Sequence, residues 1–436
     1  MKPIKIGVLG LGTVGGGTVN VLTRNAVEIT RRTGREIIIT RASARSLDKQ
    51  RLCTTHGIEL TTNSLAIIND PDIDIIVELI GGAGVVKELV LAAINNGKHV
   101  VTANKLLIAQ HGNEIFAKAS EKGVIVAFEA AVAGGIPIIK ALREGLSGNQ
   151  IEWLAGIING TSNFILTEMR DKGRDFNDVL TEAQALGYAE ADPTFDIQGI
   201  DAAHKLTILA AIAFGIPLQF DKVYTEGIAT ITRMDIHYAE ELGYRIKHLG
   251  MARKSAQGIE LRVHPTLIPQ HRLIANVNGV MNAVVVKGDA VGPTLYYGAG
   301  AGAEPTASAV VADIIDVVRA LTSNPANRVP HLAFQANALA DIPVLSCQHF
   351  RTAYYLRLTA EDKPGVLADV TGILADHNIS IEAIIQKEPL QGETSIPIIM
   401  LTQITLEQEM NAAIAKIEAL PTVTGKINHI RMETLG

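Results

Sequence analysis

Aromatic residues are scarce: 4% of 436 residues, with a single tryptophan. The chain still has 47% hydrophobic and 19% charged residues, a balance that supports sizeable cores and argues against disorder. Those cores must be aliphatic, which suits parallel sheets covered by helices. Cysteine is nearly missing as well; Cys53 and Cys347 are the only two. Two thiols build neither a disulfide scaffold nor a structural zinc site unaided, so a reducing, cytoplasmic setting is expected. Charge of one sign never accumulates and the net charge is −6, so no nucleic-acid partner is expected. Long apolar runs are absent too. The longest, residues 206–218, is too short for a bilayer and holds Gly215 and Pro217. The first twelve residues begin with a lysine and apolar side chains, but Lys5 interrupts them and they end in glycines, unlike a leader peptide. No membrane partner is expected.

What is present alternates. Apolar runs at residues 4–10, 36–40, 73–80, 99–103 and 124–128 read as strands, and helical patterns at 14–30, 85–95 and 108–121 separate them. This βαβ rhythm predicts an α/β fold opening with a doubly wound parallel sheet of Rossmann type over residues 1–134. A later helical stretch, 305–321, is expected to return to that domain with residues 303–325. Between them the rhythm changes. A strand at 151–158, helices at 162–172, 176–186 and 200–214, and strands between 260 and 295 predict an α+β domain over 135–302. Pro325, Pro330 and Pro343 mark residues 326–350 as a linker. Residues 351–436 read as a compact βαββαβ module.

Gly10-Leu11-Gly12-Thr13-Val14-Gly15 is a G-x-G-x-x-G string placed between a strand and a helix. The first glycine permits a tight turn, the second lets backbone approach a pyrophosphate, and the third allows close helix packing. The alternative, a simple glycine turn, does not require that context. NAD enzymes usually carry an acid at the end of the second strand. Here Arg41 and Arg45 precede the first acid, Asp48. NADP is therefore favoured, with NAD possible and a solvated loop as the alternative for the arginines.

Hydride transfer to a carbonyl needs a proton donor and a positioned substrate. Lys105 follows the fourth predicted strand, at the sheet edge where open α/β folds bind ligands, with a solvated helix-start lysine as the alternative. Asp201 and Lys205 stand i,i+4 on one face of a predicted helix that continues through Ile208, Leu209 and Ile212. A charged pair on an apolar face is a candidate site; an ordinary helix ion pair is the alternative. His204, one step round, reads as structural.

The strings GLGTVGGG, VTANK, GIINGTSNFIL, GYAEADPTFDIQGIDAAHKL and YGAGAGAEPTASAVVADI, spread over residues 2–321, resemble the homoserine dehydrogenase family. The resemblance implies Lys205 as proton donor and Lys105 beside cofactor and substrate. It implies Glu190 and Asp201 as substrate-holding carboxylates, with Thr161, Tyr188 and Gly187 lining the pocket. Leu11, Thr13, Val14, Arg45 and Gly302 match cofactor contacts alongside Gly10, Gly12 and Gly15. Residues 129–136 resemble a monovalent-cation loop, with Glu129, Val132, Gly134 and Ile136 offering oxygens to an ion such as Na+. A homo-oligomer is implied as well. Ser46 departs from the acid that many members carry after that arginine, which strengthens the NADP expectation.

Near the C-terminus, Asp362-Lys363-Pro364-Gly365-Val366-Leu367 and His377-Asn378-Ile379-Ser380-Ile381 are similar to the motifs of ACT domains, small ferredoxin-like modules that bind amino acids. Gly365 and Asn378 would contact the effector, and the free N–H groups of the helix start suit a carboxylate; a module that serves assembly alone is the alternative. The family's pathway makes threonine the expected inhibitor. The implied reaction is reversible reduction of L-aspartate 4-semialdehyde to L-homoserine. Neither cysteine lies in a nucleophile context, which disfavours a thioester-forming enzyme. Another amino-aldehyde or hydroxy-acid dehydrogenase, or a non-catalytic NADP-binding regulator, stay open at this point.

Overall fold

The computed structural model describes residues 2–387 and 395–436. They form two compact units. The first holds the described residues up to Leu154, with His204–Asp221 and Met281–Ile342; the second holds Ala155–Ala203, Lys222–Val280 and the described residues from Pro343 on.

In the first unit six parallel strands lie in the order β3-β2-β1-β4-β5-β6. They are β1 (Ile4–Leu9), β2 (Ile37–Ser43), β3 (Glu59–Thr61), β4 (Ile75–Glu78), β5 (His99–Thr102) and β6 (Val126–Ala127). Between them run α1 (Thr13–Arg24), α2 (Ala26–Thr33), α3 (Ser64–Ile68), α4 (Gly84–Asn95) and α5 (Lys105–Lys122). β1 and β4 are apolar almost throughout because helices cover both sheet faces. Ile6, Val8, Val77 and Val101 pack with Val19 and Leu22 of α1 and with Val310, Ile314 and Val317 of α12 (Ala303–Ala320). β1 has β2 on one side and β4 on the other, so the strand order reverses there and opens a crevice at the carboxyl edge. The single helix expected over 14–30 is two: Asn25 ends α1 and starts α2. β2 runs three residues past its expected end, and the short polar β3 was not anticipated. After β6 come α6 (Ile138–Lys140) and β7 (Ile151–Ile157), which leads into the second unit. β11 (Met281–Gly288) and β12 (Gly292–Ala299) form an antiparallel hairpin in the first unit.

The second unit contains α7 (Gly160–Lys172), α8 (Phe176–Ala185), α9 (Thr194–Ile197) and α11 (Arg233–Glu241). Its strands β9 (Tyr244–Lys254), β10 (Ile259–Pro269), β17 (Val423–Met432), β13 (Arg351–Glu361), β15 (Ser395–Thr402) and β14 (Ile381–Gln386) follow one another in that order. The two-residue strands β8 (Tyr224–Thr225) and β16 (Thr405–Leu406) pair with β10 and β13. With α13 (Val366–Asp376) and α14 (Glu407–Glu418), the C-terminal strands give the βαββαβ ferredoxin-like module in antiparallel order β17-β13-β15-β14. The module's sheet does not stand apart, because β17 pairs in parallel with β10. Arg262 of β10, fully buried, meets Glu433 at 2.5 Å, and Arg431 of β17 meets Glu407 at 2.5 Å and Glu226 at 2.6 Å. Asp235, also fully buried, accepts from Arg357 Nε of β13 at 2.6 Å and Asn428 Nδ2 of β17 at 2.6 Å. Pairing and hydrogen bonding of this kind offset the cost of burying these charges. The stretch expected as a linker carries short 3-10 turns at Pro325–Asn327, Ala336–Ala338 and Cys347–His349. It is pinned along its length: Ala340 N–H donates to Gly215 O, and Leu345 N–H to Ile259 O. No helix among the described residues is long and apolar enough to cross a membrane.

Candidate active site

The glycine string forms the turn from β1 into α1. Gly10 has φ +100°, and an added Cβ would meet Leu79 O at 2.7 Å. At Gly15 a Cβ would lie 2.1 Å from Gly10 O. Gly12, the N-cap of α1, has nothing within 4 Å of its Cβ position, so the space over the helix start is open. No side chain caps α1 and no acid sits in its first turn. Free N–H groups, the positive helix end and open space make a cradle for a pyrophosphate. Leu11 buries its side chain in the core, so it can offer only backbone, while Thr13 is exposed. Gly17, one turn along, approaches Ala303 so closely that a Cβ would meet Ala303 O at 2.4 Å. This contact brings the start of α12, also without a side-chain cap after Gly302, beside α1. The second-strand arginines separate. Arg41 pairs with Glu59 at 2.5 Å and Asp70 at 3.2 Å and donates to Ala66 O; it is committed within the fold. Arg45 is exposed in the loop after β2.

At the next strand edge, Glu78 is fully buried at the end of β4. Its carboxylate accepts from Ile80 N–H at 2.7 Å, Gly81 N–H at 3.2 Å and Thr102 Oγ1 at 2.6 Å. Asn104 caps α5 by accepting from Leu107 N–H, and its amide donates to Gly82 O at 2.6 Å. The two strand ends are thus tied together, and Lys105 is the first residue of α5, half-buried, immediately beyond them. Sequence reasoning missed Glu78. An acid within the apolar run IDIIVELI was the available signal.

Lys205 lies half-buried on α10 (Ile200–Phe214), whose boundaries are those expected. Asp201 is in the first turn of the same helix and is buried. Next to Lys205, the His204 ring stacks on Phe220 at 4.1 Å, and its Nε2 lies 3.4 Å from Gln110 Nε2 of α5. The helix that begins with Lys105 is thereby joined to the helix that carries Lys205.

In the second unit, Asn159 caps α7: its Oδ1 accepts from Ser162 N–H at 2.8 Å. Its Nδ2 donates to Asp196 Oδ1 at 2.8 Å and to Asp201 Oδ2 at 2.9 Å. Thr161, in the first turn of α7 and buried, donates to Tyr188 O at 2.7 Å; the Tyr188 ring meets Phe164 edge-on. Gly187, Tyr188 and Glu190 lie in an exposed loop, where Gln184 Nε2 donates to Glu190 O at 3.1 Å. Thr161, Tyr188 and Asp201 are thus gathered around the start of α7, and Glu190 presents its carboxylate to solvent. Asn159 stands in the quoted string GIINGTSNFIL, but its role there was not foreseen.

Glu129 is buried, and burial together with Asp313 pushes its carboxyl up to about 7. Its two oxygens accept from Ile139 N–H and Lys140 N–H at the start of α6. Its side chain is therefore engaged, and Val132, Gly134 and Ile136 can offer only carbonyls, with Gly134 at φ +51°. No group of three or more His, Cys, Asp or Glu side chains that could hold a metal ion is found among the described residues.

Two cavities stand out. One of about 320 Å³ is lined by Glu361, Lys363, Gly365, Leu367, Gln386 and Ile398 of the C-terminal module. Gly365 is the N-cap of α13 at φ +97°, whereas Asn378 lies beyond the other end of that helix at φ +56°. Eleven helical residues separate them by roughly 16 Å, so one amino acid in one chain cannot touch both. A larger cleft of about 880 Å³, between α5 and residues 325–339, contains none of the expected site residues. Both cysteines are free, and burial raises the Cys53 thiol, which lowers its thiolate content.

A doubly wound sheet with an uncapped glycine cradle, lysines on two joined helices and an ACT-type module define an NAD(P)-dependent oxidoreductase with an attached ACT domain. Family models sharpen this. Residues 10–129 match the homoserine dehydrogenase NAD binding domain, 137–315 match homoserine dehydrogenase, and 354–421 match the ACT domain. A homoserine dehydrogenase of Pseudomonas aeruginosa is 66% identical over 435 residues, covering all of both chains. The solved homoserine dehydrogenase of Thiobacillus denitrificans has 69% identity and a TM-score of 0.95, covering 100% of this chain and 99% of that one. A hyperthermophilic archaeal homoserine dehydrogenase in complex with NADPH has 26% identity and a TM-score of 0.62, covering 72% of this chain and 98% of that one. The chain belongs to the homoserine dehydrogenase family.

Proposed function

We propose that the chain reduces L-aspartate 4-semialdehyde to L-homoserine reversibly, with NADPH preferred to NADH and Lys205 as the proton donor. The observation that carries this reading is α10: Asp201 is buried and held by an amide in its first turn, and Lys205 follows one turn along the same helix. Bound over Gly10, Gly12 and Gly15, the dinucleotide supplies the hydride and, in reverse, receives it. As hydride reaches the aldehyde carbon, the Lys205 ammonium gives a proton to the oxygen; in the other direction its amine takes the alcohol proton. Glu190 pairs with the substrate ammonium, while Asp201, Thr161 and Tyr188 orient the substrate, with Gly187 giving the loop its turn at φ +74°. Lys105 holds cofactor and substrate together at the head of α5. The absence of an acid at the end of β2 and the exposed Arg45 support the NADP preference, as does the NADPH complex of the archaeal relative. A monovalent cation such as Na+ would be held by the carbonyls of Glu129, Val132, Gly134 and Ile136.

Threonine is the proposed inhibitor, bound in the cavity at Gly365 with its carboxylate on the α13 start. The setting is cytoplasmic and the enzyme is a homo-oligomer. The oligomer reading is supported by β12, a strand with Leu295 and Tyr297 exposed, since a bare apolar strand invites a second copy. The test is NADPH and NADH oxidation with aspartate semialdehyde for the wild type and Lys205→Ala. A fall in kcat of about 10²–10⁴ with little change in cofactor affinity is expected. Near-normal kcat in the variant would remove Lys205 from the mechanism.

A further inference from the structure

We propose that Asn159 is a positioning residue for the reaction, its side-chain amide holding the Asp196 and Asp201 carboxylates in one working arrangement. The proposal rests on the reading of Asp201 as a substrate-orienting carboxylate.

Asn159 is buried at the junction of β7 and α7. Its Oδ1 accepts from the Ser162 N–H, so the oxygen end of the amide is identified and Nδ2 faces the other way. There the nitrogen donates to two carboxylates from different elements, Asp196 of α9 and Asp201 of α10. Two carboxylates gathered at one nitrogen repel each other. A two-proton donor between them, at the positive end of α7, opposes that repulsion.

The residue type carries the argument. Serine, threonine, aspartate and asparagine all serve as N-caps. Only asparagine among them caps with an oxygen while presenting two protons from the same side chain. A requirement for the cap alone would be met by serine or aspartate; a requirement for the bridge would not. The same α7 start donates to Tyr188 O through Thr161 and to Asp196 O through Ser162. The helix start thus anchors the surroundings while Asn159 sets the carboxylates.

Asn159→Ser and Asn159→Asp separate the two roles, because both keep a cap and neither has the two-proton amide that reaches both carboxylates. The expected result for Asn159→Ser is melting and NADPH binding close to wild type with kcat for the semialdehyde lowered about ten- to a hundredfold, the cost of a lost charge-assisted hydrogen bond. Asn159→Asp, which adds a third carboxylate, is expected to be the worse of the two. Wild-type kcat and semialdehyde KM in Asn159→Ser would overturn the proposal and leave Asn159 as a cap. Asp201→Asn is assayed alongside. If it loses activity while Asn159→Ser does not, the bridge alone is wrong. If neither loses activity, the role of Asp201 is wrong with it. A Ser variant that melts early while Asn159→Asp melts normally and stays active also overturns the proposal.

Discussion

Gly12→Ala isolates cofactor binding from folding. Gly12 has φ −78° and ψ −154°, a conformation any residue adopts, and its added Cβ would meet nothing within 4 Å. The fold should accept the methyl group at no more than the difference between a glycine and an alanine cap, about 0.5–1 kcal/mol. In a protein of this size that moves Tm by only about 0.5–1 °C. The bound dinucleotide is different. A phosphate oxygen must come within about 3 Å of an α1 N–H, and the methyl occupies the open space through which it approaches. Losing one charge-assisted hydrogen bond costs about 1.5–3 kcal/mol, which is roughly ten- to 150-fold in Kd. Gly15→Ala is the contrast. Its Cβ would lie 2.1 Å from the Gly10 carbonyl oxygen, a backbone atom that cannot swing aside. That variant should lose stability as well as binding. Fluorescence titration with NADPH and a thermal melt on both variants provide the measurement. If Gly12→Ala binds NADPH as tightly as wild type, the dinucleotide does not lie on the start of α1. If it melts as early as Gly15→Ala, the space above Gly12 is not open.

Arg45→Ala should raise KM for NADPH at least tenfold more than for NADH, since a charge-assisted contact is lost. Arg41→Ala should leave that ratio unchanged and lower Tm instead, because its partners are Glu59 and Asp70; steady-state kinetics with both cofactors decides. Gln386→Ala, which alters the wall of the cavity at Gly365, should weaken threonine inhibition about tenfold while Asn378→Ala does not. Equal effects in an initial-rate titration would mean that Asn378 of a second copy reaches the ligand. Point substitutions are the right probe there, since removing everything after Pro343 strips β17 from β10 and takes Glu433 from buried Arg262 and Arg357 from buried Asp235. Lys247 is buried and its ammonium is pushed down to about 7 from an ordinary 10.5. Between those values the folded state holds fewer protons than the unfolded one, so stability should rise with pH across that window by up to about 5 kcal/mol. Lys247→Met should lack the rise; urea midpoints at pH 7 and 9.5 that climb equally in both proteins would refute it.

Backbone demands that are local were legible in the sequence. The string at residues 10–15 is readable because each glycine answers a constraint from its immediate neighbours, and the structure has the turn, the open space and the close packing in that order. Helix α10 was legible to the residue because its apolar periodicity is unbroken between Gly199 and Gly215. The motifs also placed the chain in its family. Tertiary structure alone decided which polar groups were already committed. Arg41 and Arg45 look alike in sequence, yet among the described residues only Arg41 finds carboxylates, 18 and 29 residues away. Glu78 meets Thr102 across adjacent strands, and Asn159 meets Asp196 and Asp201 across 37 and 42 residues. The junction of the C-terminal module with β10 is of the same kind, made by a parallel strand pair and by buried ion pairs that no periodicity records. Periodicity and turn chemistry act over a few residues, whereas hydrogen bonds and ion pairs join whatever the fold brings within 3 Å, so only the folded chain could show which side chains remain for substrate and cofactor.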